Sequence, residues 1–333
     1  MSGLKFKRDE IPKPKEPTVP AAEKSRYATF PPPLKAGGTI GVVSPASWSE
    51  PDTLARLTGL LESLGYQVVI HQQNYLRYGR LAGTDAARAE ALMDMFTDPT
   101  IDAILCARGG VGGSIRIAEA LDYRLIKRNP KPFVGFSDIT FLLQAITKRC
   151  GFVTYHGPVG LWLTRGHDPK TLDELFLMIG SARKPYNLHI SSVQCLRPGR
   201  AEGRLVGGNM TLLQALIGTP YDWSGKDAIL FLEDVDEVLY KLDRTLRHFR
   251  LAGKLKDVRA VLVGEMAGLT DGDSEKPFGR SLTQILTDIF PPGIPLGMNF
   301  PCGHSSYLTT LPVGAPVELS LGPHGIDLGF TQS

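Results

Sequence analysis

Cysteine is scarce in this 333-residue chain. The four present (Cys106, Cys150, Cys195 and Cys302) form no Cys-x-x-Cys pair, so neither a disulfide scaffold nor a structural zinc site is expected. Long apolar runs are missing too, and none approaches the ~20 residues that a membrane helix needs. The stretch Met1 to Glu10 mixes charges with scattered apolar residues and lacks the apolar centre of a secretory signal. No GxxxxGK[ST] phosphate loop occurs, and the one glycine-rich turn misses the G-x-G-x-x-G spacing of a dinucleotide site. These absences point to a cytoplasmic protein with no membrane contact.

The charge is nearly balanced, with 37 basic against 34 acidic residues and a net charge of +3. Residues 1–36 hold eight of the basic residues and four of the acidic ones, which leaves 29 against 30 in the rest. The sequence pI of 8.6 therefore belongs to the leading segment, and the remaining chain offers no electrostatic case for nucleic acid. Seven of the 25 prolines also fall there. Residues 1–30 read as a Pro-rich basic tail, expected to be disordered. The composition beyond it, within an overall 42% hydrophobic and 21% charged, is that of a globular protein long enough for about two domains.

From Thr39 the pattern becomes regular. Apolar strand-like runs at 39–43, 67–70, 101–106, 133–135 and 152–155 alternate with helical spacing at 51–64, 84–96, about 115–121 and 139–148. Thr84 is placed as an N-cap. This alternation implies βαβ units and a parallel sheet covered on both faces over residues 31–165. Ligands of such sheets bind beyond the carboxyl ends of the strands, which directs attention to the turns after Cys106 and Gly135. The rhythm breaks over 166–199, the expected boundary zone. Residues 200–333 read as a smaller α+β domain, with strands at 203–206, 228–232 and 258–263 and a long helix over 235–251.

Four segments could carry chemistry. In Gly135-Phe136-Ser137-Asp138, a serine stands on a sharp strand-to-helix turn with the next backbone N–H beside it, the logic of a nucleophile elbow. The second glycine of the usual elbow is absent, and Ser137 and Asp138 are also ordinary helix starters. Arg108-Gly109-Gly110-Val111-Gly112-Gly113-Ser114 could offer free N–H groups to an anion or oxyanion, or could be only a tight turn. Glu233 and Asp234 close an apolar strand, where an acid could orient a histidine or cap a helix; Glu237 reads as solvated helix surface. Of seven histidines, His248 reads as exposed, whereas His156 after a strand and His304 in a turn-rich stretch are equal candidates for a base.

Taken in order, these segments resemble the LD-carboxypeptidase family of serine peptidases, which includes muramoyl-tetrapeptide carboxypeptidases and microcin-immunity peptidases. The resemblance spans about Pro32 to Leu328. It rests on Ile40-Gly41-Val42-Val43-Ser44-Pro45-Ala46, Arg108-Gly109-Gly110, Gly135-Phe136-Ser137-Asp138-Ile139-Thr140 and His156-Gly157-Pro158 in the first half. Gly207-Gly208-Asn209, Leu232-Glu233-Asp234-Val235 with Tyr240 and Asp243-Arg244, and Gly303-His304 follow in the second. Each is weak alone, and the ordered set is specific.

The resemblance implies a Rossmann- or flavodoxin-like first domain and an α+β second domain of β-barrel-like character. It makes Ser137 the nucleophile, His304 the general base and Glu233 the group that orients it, with oxyanion-hole N–H groups from Gly110 and Asp138. His156 then becomes structural, and neither a metal nor a cofactor is required. The implied reaction releases the terminal D-alanine of a murein tetrapeptide during peptidoglycan recycling in the cytoplasm, and dimerisation, common in the family, makes a homodimer one expected state. Two alternatives are a same-fold amidase conferring immunity to a peptide-nucleotide antibiotic, and a nucleotide- or sugar-binding protein without catalysis. One departure bears on the first: the family's aromatic after Arg-Gly-Gly is Val111 here, and Arg116 stands eight rather than seven residues past Arg108.

Overall fold

The computed structural model describes residues 27–180, 186–272 and 275–330. Short apolar strands and amphipathic helices alternate through the first half: β1 (Thr39–Val43), α1 (Pro51–Ser63), β2 (Gln67–Ile70), α2 (Asp85–Thr97), β3 (Ala103–Cys106), α3 (Tyr123–Arg128), β4 (Phe133–Gly135), α4 (Thr140–Cys150), β5 (Thr154–His156), α5 (Gly160–Leu163) and α6 (Pro169–Gly180). The local chemistry explains the boundaries. Pro51, pre-set for a first turn, opens α1, and Leu54, Leu57 and Leu61 bury one face. Thr84 caps α2 by accepting from Ala87 N at 3.2 Å, as expected from the sequence. Between β3 and α3, where a helix is expected near 115–121, the chain makes only a 3-10 turn, Ile115–Ala120.

The second half adds β6 (Tyr186–Ile190), β7 (Gln194–Arg197), β8 (Gly199–Asn209), α7 (Met210–Leu216), β9 (Ala228–Glu233), α8 (Leu239–Leu251), β10 (Ala260–Gly264), α9 (Leu282–Ile289), β11 (Leu296–Phe300), β12 (Leu311–Val313), β13 (Pro316–Gly322) and β14 (Gly325–Phe330). No helix among the described residues is long and apolar enough to cross a membrane.

Two sheets result. The first runs β12-β5-β4-β3-β1-β2, with β1 to β5 parallel and β12 antiparallel to β5 at the edge. Its parallel part has the doubly wound order 2-1-3-4-5, with a switch point between β1 and β3. The second runs β6-β14-β13-β8-β9-β10-β11-β7; β8 to β11 are parallel and the rest antiparallel. Its two edge strands, β6 and β7, are joined by only three residues, Ser191 to Val193, so the two edges of the sheet come near one another at that link. This is the physical content of its barrel-like character. One apolar core joins the sheets, running from Val42, Leu105, Val134 and Tyr155 into Leu205, Phe231, Leu262 and Leu311.

Several local expectations need correction. Residues 1–26 of the expected tail lie outside the described residues, but 27–30 belong to the fold. Ala28 N donates to Gly314 O at 3.1 Å, and Thr29 bridges Phe152. The zone 166–199 carries α6, β6 and β7; α6 lies against the first half, with Phe176 stacked 4.7 Å from Tyr66. The helix expected from Val235 begins only at Leu239. The preceding residues run beside the chain after β10, bridging Val235 to Ala267 and Val238 to Thr270, and Asp236 takes φ +55°. Glu237 is accordingly not on a solvated helix face but half-buried in this segment, and His248 is half-buried against Gln214.

Candidate active site

Both sheets direct the carboxyl ends of their parallel strands towards one region. On the first sheet, β4 ends at Gly135 and the extended Phe136 leads into Ser137, which is held at φ +61°. A left-handed non-glycine residue between strand and helix is the strained geometry of a nucleophile elbow, and it projects a half-buried hydroxyl off the sheet edge. Asp138 follows, but its side chain does not cap a helix. It is buried and turns onto the glycine-rich segment, where it accepts from Gly113 N at 2.8 Å and Ser114 Oγ at 2.7 Å.

That segment is held from behind as well. Arg88 of α2 is fully buried and donates from Nη1 to Pro45 O and Gly113 O, both at 2.6 Å, while Ser47 N donates to Gly109 O at 3.2 Å. At Gly110 a Cβ would lie 2.6 Å from Ser47 Oγ and 2.9 Å from Asp138 Oδ2, so no side chain fits and the backbone can come close to the serine turn. Val111 projects outwards, 52% exposed.

On the second sheet, Glu233 ends β9 completely buried. Its Oε2 stands 2.9 Å from Nδ1 of His304, which follows the end of β11 through Cys302 and Gly303. A Cβ at Gly303 would lie 2.7 Å from Glu265 O and 3.4 Å from Glu233 Cβ, so only glycine lets this loop cross over the carboxylate. A carboxylate accepting at Nδ1 fixes the tautomer and leaves Nε2 of His304 free to take a proton. Burial works against a charged His304, but the hydrogen bond and charge of Glu233 outweigh it and raise the imidazole above its ordinary value.

The two halves touch through aromatic rings. Phe136, next to Ser137, packs 4.8 Å from the His304 ring, and Trp162 stands 5.7 Å from it, edge-on, while donating from Nε1 to Ser305 O at 3.1 Å. The structure thus brings the segments of Ser137, Asp138, Gly110, Glu233 and His304 to one place. His156 plays a different part: it is fully buried, hydrogen-bonded through Nε2 to Cys302 O at 2.8 Å and pushed towards the neutral form by burial. It holds the loop that carries His304. Asp234, expected as a helix cap, instead accepts from Asn209 Nδ2, Val235 N, Thr211 N and Thr211 Oγ1 at 2.8–3.1 Å, and burial raises it to about 6. It ties the ends of β8 and β9 together.

Sequence reasoning missed Arg88 and Trp162. Nothing in the helical spacing of α2 marks a buried arginine, and a tryptophan in a four-residue helix carries no motif. Among the described residues, no group of three or more histidine, cysteine, aspartate or glutamate side chains is disposed to hold a metal ion.

Residues 40–157 match the LD-carboxypeptidase N-terminal domain and residues 202–319 the LD-carboxypeptidase C-terminal domain. The chain is 38% identical over 291 residues to the probable murein peptide carboxypeptidase of Bacillus subtilis, covering 86% of this chain and 90% of that protein. It is 26% identical to the microcin C7 self-immunity protein MccF of Escherichia coli, covering 89% and 94%. Among solved structures, the muramoyltetrapeptide carboxypeptidase of Oxalobacter formigenes superposes with a TM-score of 0.76 at 29% identity, over 88% of this chain and 98% of that one. The chain belongs to the LD-carboxypeptidase family of serine peptidases.

Proposed function

We propose that this chain hydrolyses the L,D amide bond between the diamino acid and the terminal D-alanine of a murein tetrapeptide, using Ser137, His304 and Glu233 as a catalytic triad. The observation that carries this reading is the 2.9 Å contact from His304 Nδ1 to buried Glu233, lodged against the residue before Ser137. A serine hydroxyl is a weak nucleophile until an imidazole removes its proton. Nε2 of His304 takes that proton as Ser137 Oγ attacks the carbonyl carbon, and Glu233 stabilises the imidazolium. The N–H groups of Gly110 and Asp138 receive the oxyanion, a contribution of about 3–4 kcal/mol each in comparable acyl-transfer sites. His304 then protonates the leaving amine of D-alanine, and water hydrolyses the acyl-enzyme by the reverse relay.

Ser137 comes from one domain, residues 31–165, and the other two groups from residues 200–333, so the site lies between them, a usual place for a pocket. The relatives' names support a murein peptide as the substrate, and the proposed setting is peptidoglycan recycling in the cytoplasm. A second reading, immunity to a peptide-nucleotide antibiotic, is favoured by one observation. The exposed Val111 stands in the loop with the extra residue, and a relative of that kind covers 89% of this chain.

The test is D-alanine release from purified tetrapeptide by the wild-type chain, with and without EDTA, and by Ser137→Ala. Release that survives EDTA and vanishes in Ser137→Ala is expected. No release by the wild type, with cleavage of aminoacyl-nucleotide amides instead, would replace the first reading by the second.

A further inference from the structure

We propose that Arg108, flanked by Arg80 and Arg165, receives the terminal carboxylate of the peptide and so confines the Ser137 site to the last bond of a free-acid chain. This deepens the reading above and rests on it for the bond that is cut. A triad and an oxyanion hole cleave an acyl bond wherever it falls. Selection of the last bond requires a group that recognises the free end, and that end is an anion.

Arg108 has the position for this. It is the first residue of the glycine-rich loop, two before Gly110, and a Cβ at Gly109 would stand 3.3 Å from Ser137 Cβ. Three contacts gather the other elements around it. Arg108 Nη1 donates to Trp48 O at 3.3 Å, and Trp48 Nε1 donates to Gly79 O at 2.9 Å, which brings in the turn carrying Arg80. Leu161 N donates to Ala107 O at 2.8 Å, so α5 begins beside Arg108; Arg165 N closes that helix onto the carbonyl of Trp162, whose ring lies against His304.

Neighbouring arginines have acidic partners: Arg77 pairs with Glu50 at 2.9 Å and Arg116 with Asp85 at 2.7 Å. Arg80, Arg108 and Arg165 have none within 4 Å among the described residues. Burial lowers the Arg108 guanidinium from its ordinary value, and the charges of Arg165 and Arg80 add to this, with the charge of Glu50 opposing. A half-buried guanidinium among like charges is stabilised by a bound anion, and its planar fork fits a carboxylate through two parallel hydrogen bonds.

The test uses full-length Ser137→Ala protein, titrated calorimetrically with the tetrapeptide and with the same peptide ending in D-alaninamide. The free acid is expected to bind about a hundredfold more tightly. Arg108→Gln in the same background should erase that preference, and Arg108→Lys, which keeps the charge without the fork, should retain part of it. With Ser137 intact, Arg108→Gln should raise KM for the acid much more than it lowers kcat. Equal affinity for acid and amide in Ser137→Ala would overturn the proposal. So would a preference that survives Arg108→Gln, or equal weakening of both ligands, which would place another carboxylate of the peptide on Arg108. A wild-type chain that binds the acid preferentially but never releases D-alanine would sink the carboxypeptidase reading and leave the carboxylate site standing.

Discussion

Replacing Glu233 by glutamine isolates what the buried carboxylate does. The side chain keeps its size, so the packing against Gly303 and Gly264 survives, but the negative charge facing His304 Nδ1 at 2.9 Å is lost. Two unit charges at that distance interact by about 6 kcal/mol at an effective dielectric constant near 20. Part of this is offset by desolvation, because Glu233 has no exposed surface. The surviving share, about 4–5 kcal/mol, corresponds to a loss of roughly 10³–10⁴ in kcat. A glutamine NH₂ presented to Nδ1 would also favour the opposite tautomer, with the proton on the nitrogen that must accept one.

The pH profile supplies an independent reading. His304 acts as a base only when neutral, and Glu233 raises its pKa, so the acidic limb of kcat/KM should lie above pH 6.5 in the wild type. In Glu233→Gln the largest influence raising the imidazole is gone, and burial, which disfavours the imidazolium, is opposed only by the weaker charges of Asp234 and Asp236, so the limb should move to lower pH. D-alanine release followed by a coupled oxidase assay from pH 5 to 9, with circular dichroism to check folding, gives both quantities. A folded variant within tenfold of wild-type activity, or one whose limb does not move, would refute the reasoning.

Ser137→Gly and Ser137→Ala should both abolish turnover, yet the glycine variant should be more stable by about 1 kcal/mol because φ +61° strains any residue with a Cβ; equal denaturation midpoints would contradict this. Gly110→Ala forces a methyl group to 2.6 Å from Ser47 Oγ and should cost about 1–3 kcal/mol of stability and roughly 10²-fold in kcat, read by chemical denaturation and steady-state kinetics. Asp234 has a folded pKa of about 6 against 3.8 unfolded, so the native state holds its proton more tightly. Its contribution to stability should fall by about 3 kcal/mol between pH 4 and 6 and stay level above, and Asp234→Asn should flatten that slope in urea titrations. Parallel slopes for the two proteins would count against the assignment.

Much of this architecture was legible before any coordinates. The alternation from Thr39 onwards located the parallel strands of the first sheet within a few residues, because short apolar runs of strand length, bounded by turn residues, alternate with longer stretches of helical spacing. The serine turn after Gly135 and the acid closing the 228–232 run were visible for the same local reason: a strand end is marked by its neighbours. Errors arose where a segment's fate depended on a distant partner. Residues 235–238 have helical spacing, yet they pair with residues 267–270. Asp138 and Asp234 look like helix caps but bond to Gly113, Ser114, Asn209 and Thr211.

What the sequence alone determined, then, is the set of elements, the order of their ends and the residue types placed there. The ordered motifs also singled out the serine, acid and histidine proposed as the triad. The tertiary structure decided the assembly of the site. His156 and His304 both follow strands, and local pattern could not rank them; packing places one beneath Cys302 and the other against Glu233, 71 residues away in sequence. Likewise β12 crosses to the edge of the first sheet, and Arg88 becomes the buried brace of the glycine-rich loop. Local propensities act over a few residues, whereas contacts across tens of residues form only when burial of a shared core offsets the entropy of closing the loop.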